Sequence, residues 1–353
     1  MKNFFPLVLD NTQISAYKEC EIRFFRNYIQ HLQSEESTDL IAGGAFAHGI
    51  HKTREAYYEH GIDASDAIAI GIEALFEKYD EHTNPYKEGK SVHRIALALE
   101  SYFIEYDLQY DEVQPLKLEK GGYSIEYSLL SPILDFDGEP ILHPTLKLPL
   151  LYSGRLDMLA SYLGGVFMVD EKTTGSYFTK TWEDQWQTRG QFTGYSWLGK
   201  QSGIPELANI AGAIVRGISL PSSISHNEDT KNKFYSNIEN IKHRQCVTTR
   251  NEYEIECWHR DMVNTLLQMR DAYIRYLDNN EQEPEKFFSG NWGSSCTSYG
   301  RGCQFLETCK SPNGEKFLET AYEQHIWLPE EHRREKLDVY LERLNKTLAG
   351  ETE

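Results

Sequence analysis

From Tyr123 to Leu130 the residues YSIEYSLL alternate apolar and polar, the period-2 pattern of a half-buried strand. Further on, Gly154 to Lys172 (GRLDMLASYLGGVFMVDEK) reads as two strands around a tight turn at Gly164-Gly165, since a glycine pair adopts the positive φ values a two-residue hairpin needs. Before residue 121 the period is helical. Residues 14–32 place Ile14, Tyr17, Phe24, Phe25 and Tyr28 mostly on one side of an amphipathic helix that carries Cys20, and a second helix is predicted from Ala45, after Gly43-Gly44, to His60. Residues 64–79 and 91–110 are two more, separated by the turn-rich EHTNPYKEGK.

Downstream, Asp135-Phe136-Asp137-Gly138 suits a hairpin turn, Trp182 to Lys200 a helix, and Ala208 to Ser219 a buried strand. Pro221 to about Asn240 is polar and reads as a mobile loop. Gln245 to Cys257 suits a last strand leading into a helix from Trp258 to Asp278. Phe287 to Cys309 holds too many Gly and Ser residues for regular structure, and Pro329 to Leu348 is a charged, peripheral helix. This order predicts an α/β fold in three parts: a mostly helical 1–120, a sheet-bearing core over 121–285, and a cysteine segment with the charged helix over 286–353, integrated as one domain.

Composition narrows the class. At 353 residues the chain can bury a real core, no apolar run approaches a membrane span, and the N-terminus lacks the basic start and apolar stretch of a signal peptide. A soluble, cytoplasmic protein is expected. A net charge of −18 argues against a general affinity for nucleic acid, though not against a local basic groove. Of six cysteines, Cys296, Cys303 and Cys309 fall within 14 residues, and in a reducing compartment clustered thiols point to metal or redox chemistry.

Four constellations carry chemistry. On the hairpin, Asp157 lies on the first strand and Asp170 and Lys172 share one side of the second, with Glu171 facing away. Two carboxylates and a lysine at a hairpin end can hold a divalent metal and manage a water beside it, although alone they better suit a solvated strand end. Gln187, Gln191 and Tyr195 recur every four residues on the next helix, and His48 and His51 are equivalent candidates for a metal ligand on the helix after the glycines. The three late cysteines are one thiolate short of a zinc or iron–sulfur site, with Cys20, Cys246 or Cys257 as the fourth, and their wide spacing favours iron–sulfur.

Taken in order, these elements resemble the RecB-type exonucleases of the PD-(D/E)XK superfamily, in the iron–sulfur branch that includes CRISPR-associated adaptation nucleases, AddB-type nuclease domains and phage exonucleases. The matching residues are Ser15, Cys20, Phe24 and Tyr28; Gly44 and His48; Gly154 and Asp157; Asp170, Lys172 and Thr173; Gln191 and Tyr195; and the three late cysteines. Glu21 departs from the proline the family often carries after its early cysteine.

The resemblance implies a restriction-endonuclease-like core, a central mixed sheet flanked by helices, with an N-terminal helical region and a C-terminal cluster segment. It implies Mg²⁺ or Mn²⁺ on Asp157, Asp170, His48 and the backbone carbonyl of Glu171, with Lys172 acting on the attacking water and Gln191 and Tyr195 supporting the site. Cys20, Cys296, Cys303 and Cys309 would hold a [4Fe–4S] cluster. Glu126 stands where related sequences often carry a glutamate, and Gln187 is a weaker member of the site. A basic track would be local, from groups such as Lys180, Arg189, Arg216 and Lys231.

The expected activity is metal-dependent exonucleolytic hydrolysis of single strands or DNA ends, in recombination, repair, replication or phage DNA processing, in a bacterial or phage-infected cell. The sequence carries no G-x4-G-K-[ST] phosphate loop, so unwinding would fall to a separate helicase or recombination protein. The alternatives are a non-catalytic DNA-end or partner-binding module that keeps fold and cluster, and a zinc-binding interaction protein.

Overall fold

A computed structural model of the chain describes residues 3–34, 37–80, 90–119, 122–221, 240–300, 302–329 and 337–348. In chain order the strands are β1 (Val8–Leu9), β2 (Leu32–Gln33), β3 (Gln114–Pro115), β4 (Ile125–Pro132), β5 (Leu151–Tyr162), β6 (Gly165–Thr174), β7 (Ile210–Ser219), β8 (Lys242–Thr249) and β9 (Glu323–Gln324). The helices are α1 (Asn11–Glu19), α2 (Glu21–Phe24), α3 (Thr38–Arg54), α4 (Ala64–Asp80), α5 (Val92–Glu105) and α6 (Lys180–Asp184). They continue with α7 (Gly190–Gln201), α8 (Glu252–Asp278), α9 (Leu306–Lys310), α10 (Leu318–Ala321) and α11 (Leu337–Leu348). The loop expected from Pro221 and the Lys231 of the basic track fall on residues 222–239, outside the described residues, as do residues 81–89. Among the described residues no helix is long and apolar enough to cross a membrane.

The chain divides into two compact units. The first comprises Met1–Glu35, Ser128–Arg155 and Glu252–Glu353; the second comprises Glu36–Tyr127 and Leu156–Asn251. In the first, β1 runs parallel to the start of β5 through Val8↔Leu151 and Leu9↔Tyr152, and β2 pairs antiparallel with β9. The long α8 buries Met262, Val263, Leu266, Met269, Tyr273 and Tyr276 along one side, the stripe expected of an amphipathic helix.

The helix expected over residues 14–32 is interrupted at Cys20. An Asp10–Gln13 capping box starts α1 at Asn11, but Cys20 is extended (φ −167°, ψ 109°), and α2 restarts beyond it and widens into a π-turn over Phe25–Ile29. The groups freed by the break are taken by a distant segment: Ile22 N–H donates to the Ser289 carbonyl (3.2 Å), Ser289 N–H to Glu21 (2.7 Å), and Asn291 to the Glu19 carbonyl (2.8 Å).

The second unit holds the central mixed sheet flanked by helices. Strand β5 pairs antiparallel with β6, β6 parallel with β7, and β7 antiparallel with β8. The predicted hairpin is present, but its turn lies one residue earlier than Gly164-Gly165. Tyr162 pairs with Gly165, so the loop is Leu163-Gly164, both with positive φ (48° and 79°). Helix α3 starts seven residues before Ala45 because Ser37 caps it, accepting from Leu40 N–H, and Gly43-Gly44 lie in its interior. Helix α3 lies against β6 here: a Cβ on Gly43 would make an ordinary contact of 3.6 Å with Thr173 Oγ1. The side chains of α3, α4 and α5, among them Phe46, Leu75, Ile95, Leu99 and Tyr102, form one core with Ile218 of β7.

The helix expected over Trp182–Lys200 is two helices, α6 and α7, joined by turns. Arg250 accounts for the break. Its guanidinium donates to the carbonyls of Trp186 (2.9 Å) and Arg189 (3.4 Å), which a continuous helix would keep for itself.

Candidate active site

The register of the hairpin sets the first site. One step past the pair Met158↔Val169, Asp157 comes opposite Asp170, and Glu171 N–H reaches Asp157 Oδ2 at 3.4 Å. Alternation along β6 puts Lys172 on the same side as Asp170, and its Nζ lies 2.6 Å from Asp170 Oδ2. Beside Lys172 in β7 is Gly217, where a Cβ would sit 2.3 Å from the Trp182 ring and 2.6 Å from Phe178; only glycine lets these two aromatics lie on the sheet here.

The electrostatics are those of crowded acid in a dry setting. Asp170 is 4 % exposed. Burial, then the charges of Asp170 and Glu171, push the Asp157 carboxyl well above its usual range, and Glu126 adds to the effect. Burial also raises Asp170, although Lys172 and Arg189 pull against it. For Lys172 burial acts downward, but Asp170 and Asp157 outweigh it and hold the ammonium above its ordinary value. Glu126, half-buried, has a left-handed backbone (φ 49°), a conformation that costs a non-glycine residue energy and concentrates at functional positions.

On the opposite side of β6, Glu171 is not solvated. Its Oε1 accepts from Arg54 Nη2 (2.5 Å) and Tyr102 Oη (2.8 Å), and Arg54 also donates to Tyr102 (2.9 Å). Burial acts to raise this carboxyl, and Arg54 and Tyr102 overcome it and hold it below the ordinary value. Arg216, paired with Glu171 in register, is 1 % exposed, bonded to Asp111 and Gln245, with its guanidinium 3.9 Å from the Tyr106 ring centroid. It therefore cannot belong to a basic track at the surface, which is a correction. Lys180 is exposed but ion-paired to Asp184.

Glu171 is matched by Arg54 and Asp170 by Lys172, whereas Asp157 has no ion-pair partner among the described residues. An unmatched, half-buried carboxylate opposite a buried one is the donor chemistry that suits a hard divalent cation. Among the described residues no group of three or more His, Cys, Asp or Glu side chains is arranged to hold a metal ion. His48 is not among the groups brought to the aspartates. Burial lowers its imidazole, Lys52 and Lys78 add to this, and its ring centroid lies 6.4 Å from that of His51.

Gln191 and Tyr195 share one face of α7, with Gln191 Nε2 donating to Tyr195 Oη (3.0 Å). Gln187 is not on that helix; it is exposed in the turn before it and accepts from Thr248 Oγ1 at 3.3 Å, so the three-residue stripe is reduced to two.

The first unit carries the second site. Cys20, Cys296, Cys303 and Cys309 line a single cavity of about 380 Å³, and all six cysteines of the chain are free thiols. The extended break at Cys20 is what presents that residue, while a Cys303 N–H bond to the Cys296 carbonyl (2.8 Å) folds the late loop back on itself. Arg26, 2 % exposed, donates to Cys309 Sγ at 3.1 Å. Burial raises the Cys309 thiol, and Arg26 pulls it back toward the thiolate. The four thiols share this cavity without being arranged as a ready metal-binding group, and Arg26 also pairs with Glu285 and Glu315; Cys246 and Cys257, left open on spacing, are not in this cavity.

The sequence did not disclose Arg54, Tyr102 and Asp111. Their one signal was Glu171 itself, since a carboxylate inside a buried strand requires a cation from elsewhere. A model of the PD-(D/E)XK nuclease superfamily matches residues 11–310. The chain matches no curated protein.

Proposed function

The chain belongs to the PD-(D/E)XK nuclease superfamily, whose members are nucleases that generally use Mg²⁺ or a similar divalent metal, and on that premise we propose that it is a DNA exonuclease of the RecB-like, iron–sulfur branch. The observation that carries this reading is the placement of Asp157 opposite Asp170 with Lys172 on the same face, two desolvated carboxylates against one ammonium. Asp157 and Asp170 would hold the cation, with the Glu171 carbonyl completing the set. When bound, the cation supplies Lewis acidity at a phosphoryl oxygen. Lys172 orients the attacking water and offsets the charge that develops on the phosphate, and the Gln191–Tyr195 pair supports the helix beside it. Cys20, Cys296, Cys303 and Cys309 would hold the [4Fe–4S] cluster. Unwinding falls to a separate helicase.

Wild-type protein supplied with Mg²⁺ or Mn²⁺ should degrade end-labelled DNA from its ends. Asp170→Asn should lower the rate by at least about a hundredfold, since even partners outside the ligand set cost 10–100-fold. Equal cleavage by the variant would remove the assigned site, whereas tight end-binding by wild type without metal-dependent cleavage would favour a non-catalytic module. Anaerobic purification should yield a brown protein with about four irons per chain. Cys20→Ser and Cys303→Ser should lose iron and lower the thermal midpoint, because ligation energy is folding energy. A colourless protein containing zinc would exclude the cluster.

A further inference from the structure

Beyond the acid pair and lysine, two side chains of the second unit have no structural task. Tyr177 lies five residues past Lys172, is 69 % exposed, and makes no ring contact or side-chain hydrogen bond among the described residues. The backbone on either side of it is anchored. The Ser176 N–H donates to Thr174 Oγ1 (3.2 Å), and the Ser176 carbonyl accepts from Ser219 Oγ (2.7 Å). Phe178 packs tilted against Trp182 with centroids 4.6 Å apart, and Thr179 caps α6 through Trp182 N–H. That aromatic pair lies over Gly217, the neighbour of Lys172, so Tyr177 is displayed from a fixed ledge adjoining the site. A large, exposed ring on an anchored backbone loses little conformational freedom on stacking.

Arg189 is the second. It is exposed, its guanidinium has no hydrogen-bond or ion-pair partner among the described residues, and its main chain is fixed by Arg250. Its backbone N–H donates to the Trp186 carbonyl (3.4 Å), and the Trp186 ring lies 5.3 Å from that of Trp182, which covers Gly217 beside Lys172, so Arg189 adjoins the same face.

We propose that Tyr177 and Arg189 are substrate-contact residues of this site: Tyr177 stacks an unpaired base next to the scissile bond, and Arg189 takes a flanking phosphate. The assignment rests on the nuclease reading above and makes Tyr177 a specificity-determining residue. A duplex hides its base faces in its own stack, so the ring gains only where the strand is already unpaired.

The test is fluorescence anisotropy with full-length protein in EDTA, where binding is read without hydrolysis, using a labelled 12-nucleotide single strand and a blunt 20-base-pair duplex. Base–aromatic stacking of about 1–3 kcal/mol corresponds to roughly 5–150-fold, so Tyr177→Ala should weaken single-strand binding by a factor in that range and leave duplex binding within about twofold. Tyr177→Trp should restore it. Arg189→Gln should lower the salt slope of single-strand binding by about 0.7, the value for one lost phosphate contact, and Arg189→Lys should keep it. Single-strand binding by Tyr177→Ala within twofold of wild type, or equal losses on both substrates, would overturn the stacking role. An unchanged salt slope in Arg189→Gln would overturn the phosphate contact. Wild-type protein that neither binds DNA in this assay nor cuts it with Mg²⁺ would overturn the nuclease reading itself, a result distinguishable from the other two.

Discussion

Replacing Arg54 by leucine should lower the stability of the unit that contains it by about 3–5 kcal/mol, the cost of leaving a buried charge without its partner. Arg54 is 3 % exposed and Glu171 9 %, and the bond between them is reinforced by Tyr102, which donates to the same carboxylate oxygen and receives from Arg54. Without the guanidinium, the carboxylate keeps one hydroxyl donor in a desolvated position. The double variant Arg54→Leu/Glu171→Leu should recover most of the loss, because removing both halves of a buried pair is often close to neutral. Urea unfolding of the two singles and the double closes the cycle. A single-variant loss below about 1 kcal/mol, or a double variant as unstable as the sum of the singles, would show that the pair does not hold this strand. The consequence for function is positional: Glu171 lies between Asp170 and Lys172, so what grips it on one face sets the backbone that displays the other two on the opposite face.

That grip also marks where the sequence stopped being informative. The hairpin was legible because its alternation is local and its turn needs glycine; even the one-residue error at Leu163-Gly164 concerns which residue of a glycine-rich turn accepts positive φ. The acids and the lysine were legible for the same reason, since a period of two fixes a face. What failed was non-local. The periodicity of residues 14–32 continues smoothly through Cys20, and the break there depends on Ser289 and Asn291, far along the chain. The split of α6 from α7 depends on Arg250. Arg216 looked like one more surface cation, and only Asp111, on a distant loop, makes it a buried one. Charge on a residue type says nothing about burial until its partner is found. The four cysteines were grouped through likeness to a family, and the cavity that gathers them depends on the broken helix no pattern revealed.

Lys172→Met should lower the rate of DNA cleavage by about 10²–10⁴-fold, the range associated with losing a positioned acid–base or water-orienting group. Methionine nearly preserves the volume of the stem, so the change removes the ammonium that sits 2.6 Å from Asp170 and little else. Two carboxylates with raised affinity for protons then face each other without their one lysine, and the charge developing on the phosphate loses its nearest compensation. Lys172→Arg is the informative control. It keeps the charge but spreads it over a planar fork longer than the ammonium, in a place closed by Asp170 on one side and by the Trp182–Phe178 pair over Gly217 on the other. It should therefore recover less than about a tenth of wild-type activity. If the loss belongs to the chemical step, both variants bind a labelled single strand in EDTA within a few-fold of wild type while kcat falls. Equal losses of binding and rate would make Lys172 a substrate anchor instead, and a Lys172→Met variant retaining a tenth or more of wild-type turnover would remove it from the reaction altogether.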